Sequence, residues 1–311
     1  MFPFALAIHG GAGTITRQSM TAEREKAYRR DLERALRAGS YILAKDGTAV
    51  EAVEAAVMVM EDSSLFNAGR GSVFTAQGTH EMDASIMDGS NLKAGAIALV
   101  HGIKNPVRVA RLVMEKSGHV FLAGVGAEAF ARSMQCAFMD ERYFFDEFRH
   151  QQWLDVKGTD TTQLDHSISK DEKFGTVGAV ACDRFGNLAA ATSTGGMTNK
   201  KFGRVGDSPM TGAGNYANNT TCAVSCTGSG EFFIRGVVAY DVSCLMEYKG
   251  MLLQQAAHEV IHNRLRRIGG DGGLIAVDRQ GNMAMPFNTE GMYRAMVKEG
   301  GTETVSIYRE G

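Results

Sequence analysis

Two stretches of this chain are written on one plan. Val180-Ala181-Cys182-Asp183-Arg184-Phe185-Gly186-Asn187 is echoed by Ile275-Ala276-Val277-Asp278-Arg279-Gln280-Gly281-Asn282. Each is a short apolar run, an Asp-Arg-x-Gly-Asn turn and a return to apolar residues. Asp at the start of a turn and Gly near its end are hairpin chemistry, so each copy reads as two antiparallel strands. They are too far apart and too irregular for a solenoid, whose period is shorter. Between them lie helical patterns over Glu231 to Met246 and Leu252 to Ile268. Strands, then helices, then strands, with few strand–helix–strand units, give an α+β class with sheets stacked between helices.

The first half supplies more of both layers. Phe4 to Ile8 reads as a buried strand ending in a glycine loop, His9-Gly10-Gly11-Ala12-Gly13, a site wall rather than a phosphate loop because no Lys-Ser/Thr follows. His9 there reads as a structural hydrogen-bonding residue, not a base. Thr21 to Ala44 is helical, and Gly47-Thr48 caps a second helix with Val50, Val53, Ala56, Val57 and Met60 on one face. The segment Leu65 to Phe74 breaks the period and leads into another strand. Met82 to Met87 and Ala94 to Val100 read as strands joined through Asp88-Gly89-Ser90-Asn91. Asn105-Pro106 opens a helix through Met114, and Gly126 to Met134 and Glu141 to Trp153 read as two more. The aromatic cluster Tyr143, Phe144, Phe145, Phe148 and Trp153 reads as packing.

At 311 residues and 44% hydrophobic, the chain buries a sizeable core as one large domain or two small ones. A formal net charge of −2 steers it toward neither nucleic acid nor a membrane surface. The five cysteines, without CxxC spacing, read as reduced thiols. The first residues lack a signal-like apolar region and a basic flank, and no run reaches transmembrane length. A cytoplasmic protein is expected.

The chemistry begins at one dipeptide. A polar segment from about Gln151 to Lys173, without helical or strand period, runs into Phe174-Gly175-Thr176-Val177-Gly178-Ala179-Val180. A buried strand opening on Gly-Thr after a solvated linker invites a cut between Gly175 and Thr176. Such a cut makes threonine a chain end, with a hydroxyl nucleophile and an α-amine base that titrates near 7.7–8.0, by its roughly unperturbed value. The cut has its own route, attack of the Thr176 hydroxyl on the Gly175 carbonyl.

Three stretches rich in small and hydroxyl residues follow: Ala191 to Thr198, Gly203 to Pro209, and Ser225 to Glu231. Arg204 and Asp207 form either a surface salt bridge or a clamp for a free amino acid, guanidinium on carboxylate and carboxylate on ammonium. Thr227-Gly228-Ser229-Gly230, ahead of a helix, offers backbone N–H groups to an oxyanion.

These residues resemble the plant-type (type III) asparaginases and isoaspartyl peptidases, which are N-terminal nucleophile hydrolases. The resemblance covers nearly the whole chain: His9 to Gly13, Phe66-Asn67-Ala68-Gly69, Gly175 to Val180, Thr192 to Gly196, Gly203 to Pro209, and Pro286-Phe287-Asn288-Thr289-Glu290-Gly291. It implies a four-layer αββα sandwich. The precursor is expected to cleave itself into residues 1–175, with 151–175 a flexible linker at their end, and 176–311. The two pieces stay together as one folded domain, and two such pairs assemble as (αβ)2. Thr176 is the implied nucleophile, Thr194 positions its hydroxyl, and Thr227 and Gly228 form the oxyanion hole. Arg204 takes the substrate α-carboxylate, while Asp207 and the Gly230 carbonyl take the α-ammonium. No cofactor is implied for catalysis, but a structural sodium is, held by backbone carbonyls of Met60, Glu61, Ser63, Phe66, Ala68 and Arg70. Phe174 is bulkier than the pattern leads one to expect, and Asn215 falls where relatives vary.

The implied activity is hydrolysis of L-asparagine and of β-aspartyl dipeptides, the latter the expected physiological substrates. Two other readings fit part of the pattern. A glycosylasparaginase shares the chemistry but is typically exported. A non-catalytic relative keeps the amino-acid clamp and is never cut.

Overall fold

The computed structural model describes residues 1–18, 20–159 and 175–309. The chain opens with β1 (Ala5–Gly13), which does not stop at the glycines. It continues through them, with a bulge between His9 and Gly11, so the expected glycine loop is strand. Two helices follow, α1 (Ala22–Ala44) and α2 (Ala49–Glu61). Thr21 caps the first by accepting from the Arg24 amide, and Thr48 caps the second in a reciprocal capping box with Glu51. The segment after α2 winds through a 3-10 turn at Gly69–Gly71, and the next strand starts only at β2 (Met82–Asp88), followed by β3 (Lys93–Val100).

Then come α3 (Pro106–Lys116), the short β4 (Phe121–Ala123) and α4 (Gly124–Ser133). The helix expected over 141–153 is two, α5 (Glu141–Phe144) and α6 (Glu147–Val156), because Asp140 and Asp146 each cap a new start. Residues 151–156, read as the beginning of a flexible linker, are therefore the second half of α6. They are held by Trp153, which is buried and stacks on Phe74 with ring centroids 5.7 Å apart. The rest of the expected linker, 160–174, lies outside the described residues, as does Phe174.

Beyond Thr176 the chain forms the hairpin β5 (Val177–Cys182) and β6 (Leu188–Thr194), then β7 (Asn215–Ala217) and β8 (Cys222–Gly228). The first and third small-residue stretches are thus partly strand, and their functional groups stand at strand ends. The helical run after β8 is broken at Val237, which takes a left-handed conformation (φ 47°) between α7 (Gly230–Gly236) and α8 (Val238–Lys249). Next is α9 (Leu253–His258), which continues as a π-helical segment, Glu259–Leu265. The chain closes with the second hairpin, β9 (Gly272–Asp278) and β10 (Met283–Ala284), then β11 (Gly291–Lys298) and β12 (Thr304–Tyr308).

Among the described residues the strands make two sheets, in the orders β12-β11-β1-β5-β6-β2-β3-β4 and β10-β9-β8-β7. Pairings are antiparallel except β3 with β4. The period of two along the strands sorts side chains into separate cores. Leu6, Ile8, Ala179 and Ala181 face α1 and α2 in one cluster. Ala5, Ala7, Val180 and Cys182 meet Ala223, Ile275 and Val277 of the other sheet in a second. Val224, Cys226 and Leu274 pack with Val242, Leu253 and Ile261 in a third. The two sheets thus pack on each other through small side chains. No described helix is long and apolar enough to cross a membrane.

Candidate active site

Gly175 and Thr176 lie where β5 enters this stack. Thr176 is buried, and its carbonyl accepts from His9 Nδ1 at 3.0 Å. Burial pushes the His9 imidazole down to about 3, so the ring is neutral at physiological pH. A carbonyl only accepts, so the proton sits on Nδ1 and Nε2 accepts from the Ser225 hydroxyl, 2.9 Å away. Ser225 in turn contacts Thr192 Oγ1 at 2.8 Å. This chain of contacts pins the backbone after the Gly-Thr bond to β8 and β6. His9 is a structural staple, as its sequence setting indicated, and not a base.

The backbone on the other side of the bond is held just as closely. Gly11 has φ +115°, and a Cβ there would lie 2.5 Å from the Gly175 nitrogen, so only glycine gives the bond its seat. A Cβ on Gly175 would lie 2.6 Å from Thr227 Oγ1, which accepts from the Ala12 amide at 3.3 Å. Thr227 and Gly228 end β8, and of the two expected oxyanion residues Thr227 lies against Gly175.

Thr176 Oγ1 itself contacts Ser208 Oγ at 3.2 Å. This departs from the expected partner. Thr194 stands at the end of β6, beyond the Val177–Ser193 pair, and its hydroxyl accepts from the Gly196 amide at 3.0 Å. The turn after it is tied down by Asn67, whose Nδ2 donates to the Gly196 carbonyl at 2.7 Å and whose Oδ1 accepts from the Val73 amide. Ser208 is positioned from behind: its carbonyl accepts from Ser85 Oγ, which also accepts from Asn215 Nδ2 at 2.7 Å. Asn215 is fully buried, and its polar side chain holds this row in place. Ser208 and Ser225 carry no sequence signal beyond their place in small-residue stretches, and Ser85 none beyond its place in a strand.

The clamp residues converge. Arg204 is paired through two hydrogen bonds with Glu231, at 2.8 and 2.9 Å, and not with Asp207. The alternative of an Arg204–Asp207 surface bridge is therefore not what forms. Asp207 is 3% exposed, and its Oδ2 has no protein partner among the described residues. Burial pushes its carboxyl up to about 7, against the opposing pull of Arg204. A methyl on Gly230 would lie 2.9 Å from Asp207 Oδ1 and 3.0 Å from Arg204. Guanidinium, carboxyl and a bare backbone thus surround one small space, which suits a group carrying both a positive and a negative charge.

No three His, Cys, Asp or Glu side chains gather to hold a metal among the described residues. The expected sodium loop would use carbonyls instead, and carbonyls of this loop, Glu61 of the expected set among them, lie close against its glycines. A Cβ on Gly69 would lie 2.4 Å from the Glu61 carbonyl, and one on Gly71 would lie 2.8 Å from that of Ser64. Three of the expected carbonyls are already engaged, Met60 by the Ser63 amide, Phe66 by the Ala68 amide and Ala68 by the Gly71 amide. The Glu61 side chain is fully buried, accepts from Ser193 Oγ at 2.6 Å and the Val107 amide at 2.9 Å, and is pushed by burial up to about 8.

Comparison with known proteins agrees with this geometry. A family model described as Asparaginase matches residues 1–307. The isoaspartyl peptidase of Salmonella typhimurium is 53% identical over 308 residues, 98% of each chain. That of Escherichia coli is 52% identical over 308 residues, 98% of this chain and 96% of its own. A plant-type L-asparaginase from Pyrobaculum calidifontis is 43% identical over 296 residues, 95% of this chain and 97% of its own. A family model over nearly the whole chain and full-length relatives at 43–53% identity lead to one conclusion: the chain belongs to the asparaginase family.

Proposed function

We propose that this protein is a self-cleaving amidohydrolase that releases aspartate from L-asparagine and from β-aspartyl dipeptides. The observation that carries the reading is the Gly175–Thr176 bond, seated between Gly11 and Thr227 at the mouth of a buried strand. In the first reaction Thr176 Oγ1 attacks the Gly175 carbonyl carbon, and the C–N bond to Thr176 breaks. The hydroxyl proton passes to the nitrogen, which becomes a free α-amine, and water hydrolyses the ester to leave a Gly175 carboxylate. Residues 1–175 and 176–311 remain together in a four-layer αββα sandwich.

In the second reaction Arg204 holds the α-carboxylate of the aspartyl group, and Asp207 and the Gly230 carbonyl hold its α-ammonium. Thr176 Oγ1 attacks the side-chain carbonyl, and its α-amine takes the proton and passes it to the leaving ammonia or amino acid. Thr227 and Gly228 stabilise the oxyanion. Water, deprotonated by the same amine, then releases aspartate. Thr194, at the end of the neighbouring strand, takes over from Ser208 as the partner of the hydroxyl once the chain is cut. The carbonyls of 60–70 suit a structural sodium that fixes the loop carrying Asn67. Two cut chains form the working (αβ)2 assembly, in the cytoplasm.

The test is the intact mass of the purified protein under denaturing conditions, followed over hours and paired with asparagine and dipeptide assays. Two fragments breaking at 175/176, with activity rising as they appear, are expected. A stable full-length chain that turns over neither substrate would overturn the reading.

A further inference from the structure

The segment Pro286 to Gly291 stands out in the sequence, yet neither reaction above uses it. Its position gives it a task. Pairing of Gly13 with Gly291 sets Thr14 beside Glu290, and pairing of Gly291 with Tyr308 sets Arg309 on the other side. Asn288 exchanges backbone and side-chain hydrogen bonds with Gly272, which pairs with Gly228 of the expected oxyanion hole. The segment therefore joins the ends of both sheets, and these residues line a cleft of about 190 Å³ together with Asp271.

The cleft lies on a definite side of the chemistry. A substrate held at Arg204, Asp207 and Gly230 presents its side-chain carbonyl to Thr176, so whatever leaves must extend away from the clamp. Gly228 pairs with Gly272, whose hydrogen-bond partner Asn288 lines the cleft, so the cleft adjoins the end of the expected oxyanion strand. In the uncut chain the backbone of Gly175 lies over Gly11 and Ala12, two to three residues before Thr14. Thr14 lines the same cleft as Arg309.

We infer that this cleft is the leaving-group subsite, taking the amino-acid half of a β-aspartyl dipeptide, with Arg309 pairing its free α-carboxylate. The inference rests on the amidohydrolase reading above and deepens it. Arg309 donates one hydrogen bond to the Thr289 carbonyl at 2.9 Å, which fixes the guanidinium at the rim. A guanidinium carries five N–H donors, and its fork matches a carboxylate. The Asp271 carboxyl takes the Ser229 hydroxyl, and Glu290 is exposed at the rim. Beside a single cation, these carboxylates disfavour acidic leaving side chains and tolerate neutral or basic ones. Asparagine, whose leaving group is ammonia, reaches none of this.

The experiment compares L-asparagine, β-aspartyl-alanine and β-aspartyl-alanine amide on the matured wild-type enzyme and on Arg309→Met and Arg309→Lys. For the wild type, the free-acid dipeptide is expected to have a KM about tenfold below that of its amide, the worth of one charge-assisted pair. Arg309→Met should erase that preference, Arg309→Lys should restore part of it, and asparagine kinetics should stay within about twofold. A wild type that treats acid and amide alike overturns the inference, and that comparison needs no variant to fold. So does Arg309→Met if it lowers asparagine and dipeptide turnover equally. A wild type inert to all three substrates would instead sink the amidohydrolase reading itself.

Discussion

The hairpins β5–β6 and β9–β10 share a turn and little else. In each, one aspartate oxygen accepts two backbone amides: Asp183 from Phe185 and Asn187, Asp278 from Gln280 and Asn282. The second oxygen differs. Asp183 Oδ2 reaches out of its hairpin to the Ala49 amide at the start of α2, whereas Asp278 Oδ2 stays local and accepts from Asn282 Nδ2. The beginnings differ more. β5 follows Gly175-Thr176, packed against Gly11 and Thr227, while β9 begins at Gly272-Gly273 and serves as the neighbour of the oxyanion strand. Identical turns thus secure two strands of unlike purpose. The turn is scaffold, and the chemistry depends on which residue the scaffold delivers to the junction of the sheets.

The comparison can be broken most severely at the delivered residue. Thr176→Ala is expected to leave an uncut chain by intact mass and to lower asparagine turnover by at least about 10⁴-fold, since nucleophile and base vanish together. Next in size, Gly11→Ala puts a methyl into the seat of the bond. Cleavage followed by gel should slow by at least about a hundredfold, equivalent to about 2.7 kcal/mol of barrier.

A third test follows the first hairpin onward to the clamp. Asp207 is held near 7 by burial, so below that pH it must lose a proton before it can pair with an ammonium. Inhibition of the mature enzyme by L-aspartate should weaken by up to about tenfold per pH unit below 7 and be flat above it. The sign for stability is opposite to that of an ion-paired aspartate, whose pKa is depressed. A folded-state value above the ordinary carboxylate value means stability is complete in acid and lost as pH rises through 7. Asp207→Asn should therefore melt higher than the wild type at pH 8, with a gain that shrinks as pH falls from 7 toward the ordinary aspartate value of 3.8. The mildest test addresses the turns themselves. Asp183→Ala is expected to cost about 3 kcal/mol in urea melts, and Asp278→Ala about 1–2 kcal/mol, because only the former also unties α2. Equal losses would show that the contact to Ala49 contributes nothing.

Much of this was legible in the residues, for physical reasons. The hairpins were visible because Asp, Gly and Asn carry their turn geometry with them. Thr21 and Thr48 announced helix starts because an N-cap is a local hydrogen bond. The clamp residues were visible as types, but their arrangement was not. Glu231, 27 residues from Arg204, is its actual partner, and nothing local signals a pair formed across a fold. The same holds for Ser208 as the neighbour of the Thr176 hydroxyl and for the staple from His9 to Ser225, 216 residues apart. The glycines after His9 were misread as a loop because β-propensity is local, whereas their strand pairing is supplied by β11. The break at Val237 and the cap Asp146 inside 141–153 were hidden under continuous apolar patterns.

The order of the larger sheet has a consequence for a chain that has been cut. Strands β1 to β4 precede the Gly175–Thr176 bond, and β5, β6, β11 and β12 follow it. They alternate in space, with β1 between β11 and β5, and β2 beside β6. Neither piece owns the larger sheet, and three of its ladders of hydrogen bonds run from one piece to the other. Parting the pieces is therefore the same event as unfolding them, and no amount of dilution substitutes for it. A nicked molecule should melt in one transition, and because unfolding frees two chains its midpoint should rise with protein concentration. Pieces made apart face a harder route, because each must find long-range partners on another molecule before its own strands are of use. One message encoding both pieces, folded first and cut afterwards, fixes their ratio at one to one and spares them that search.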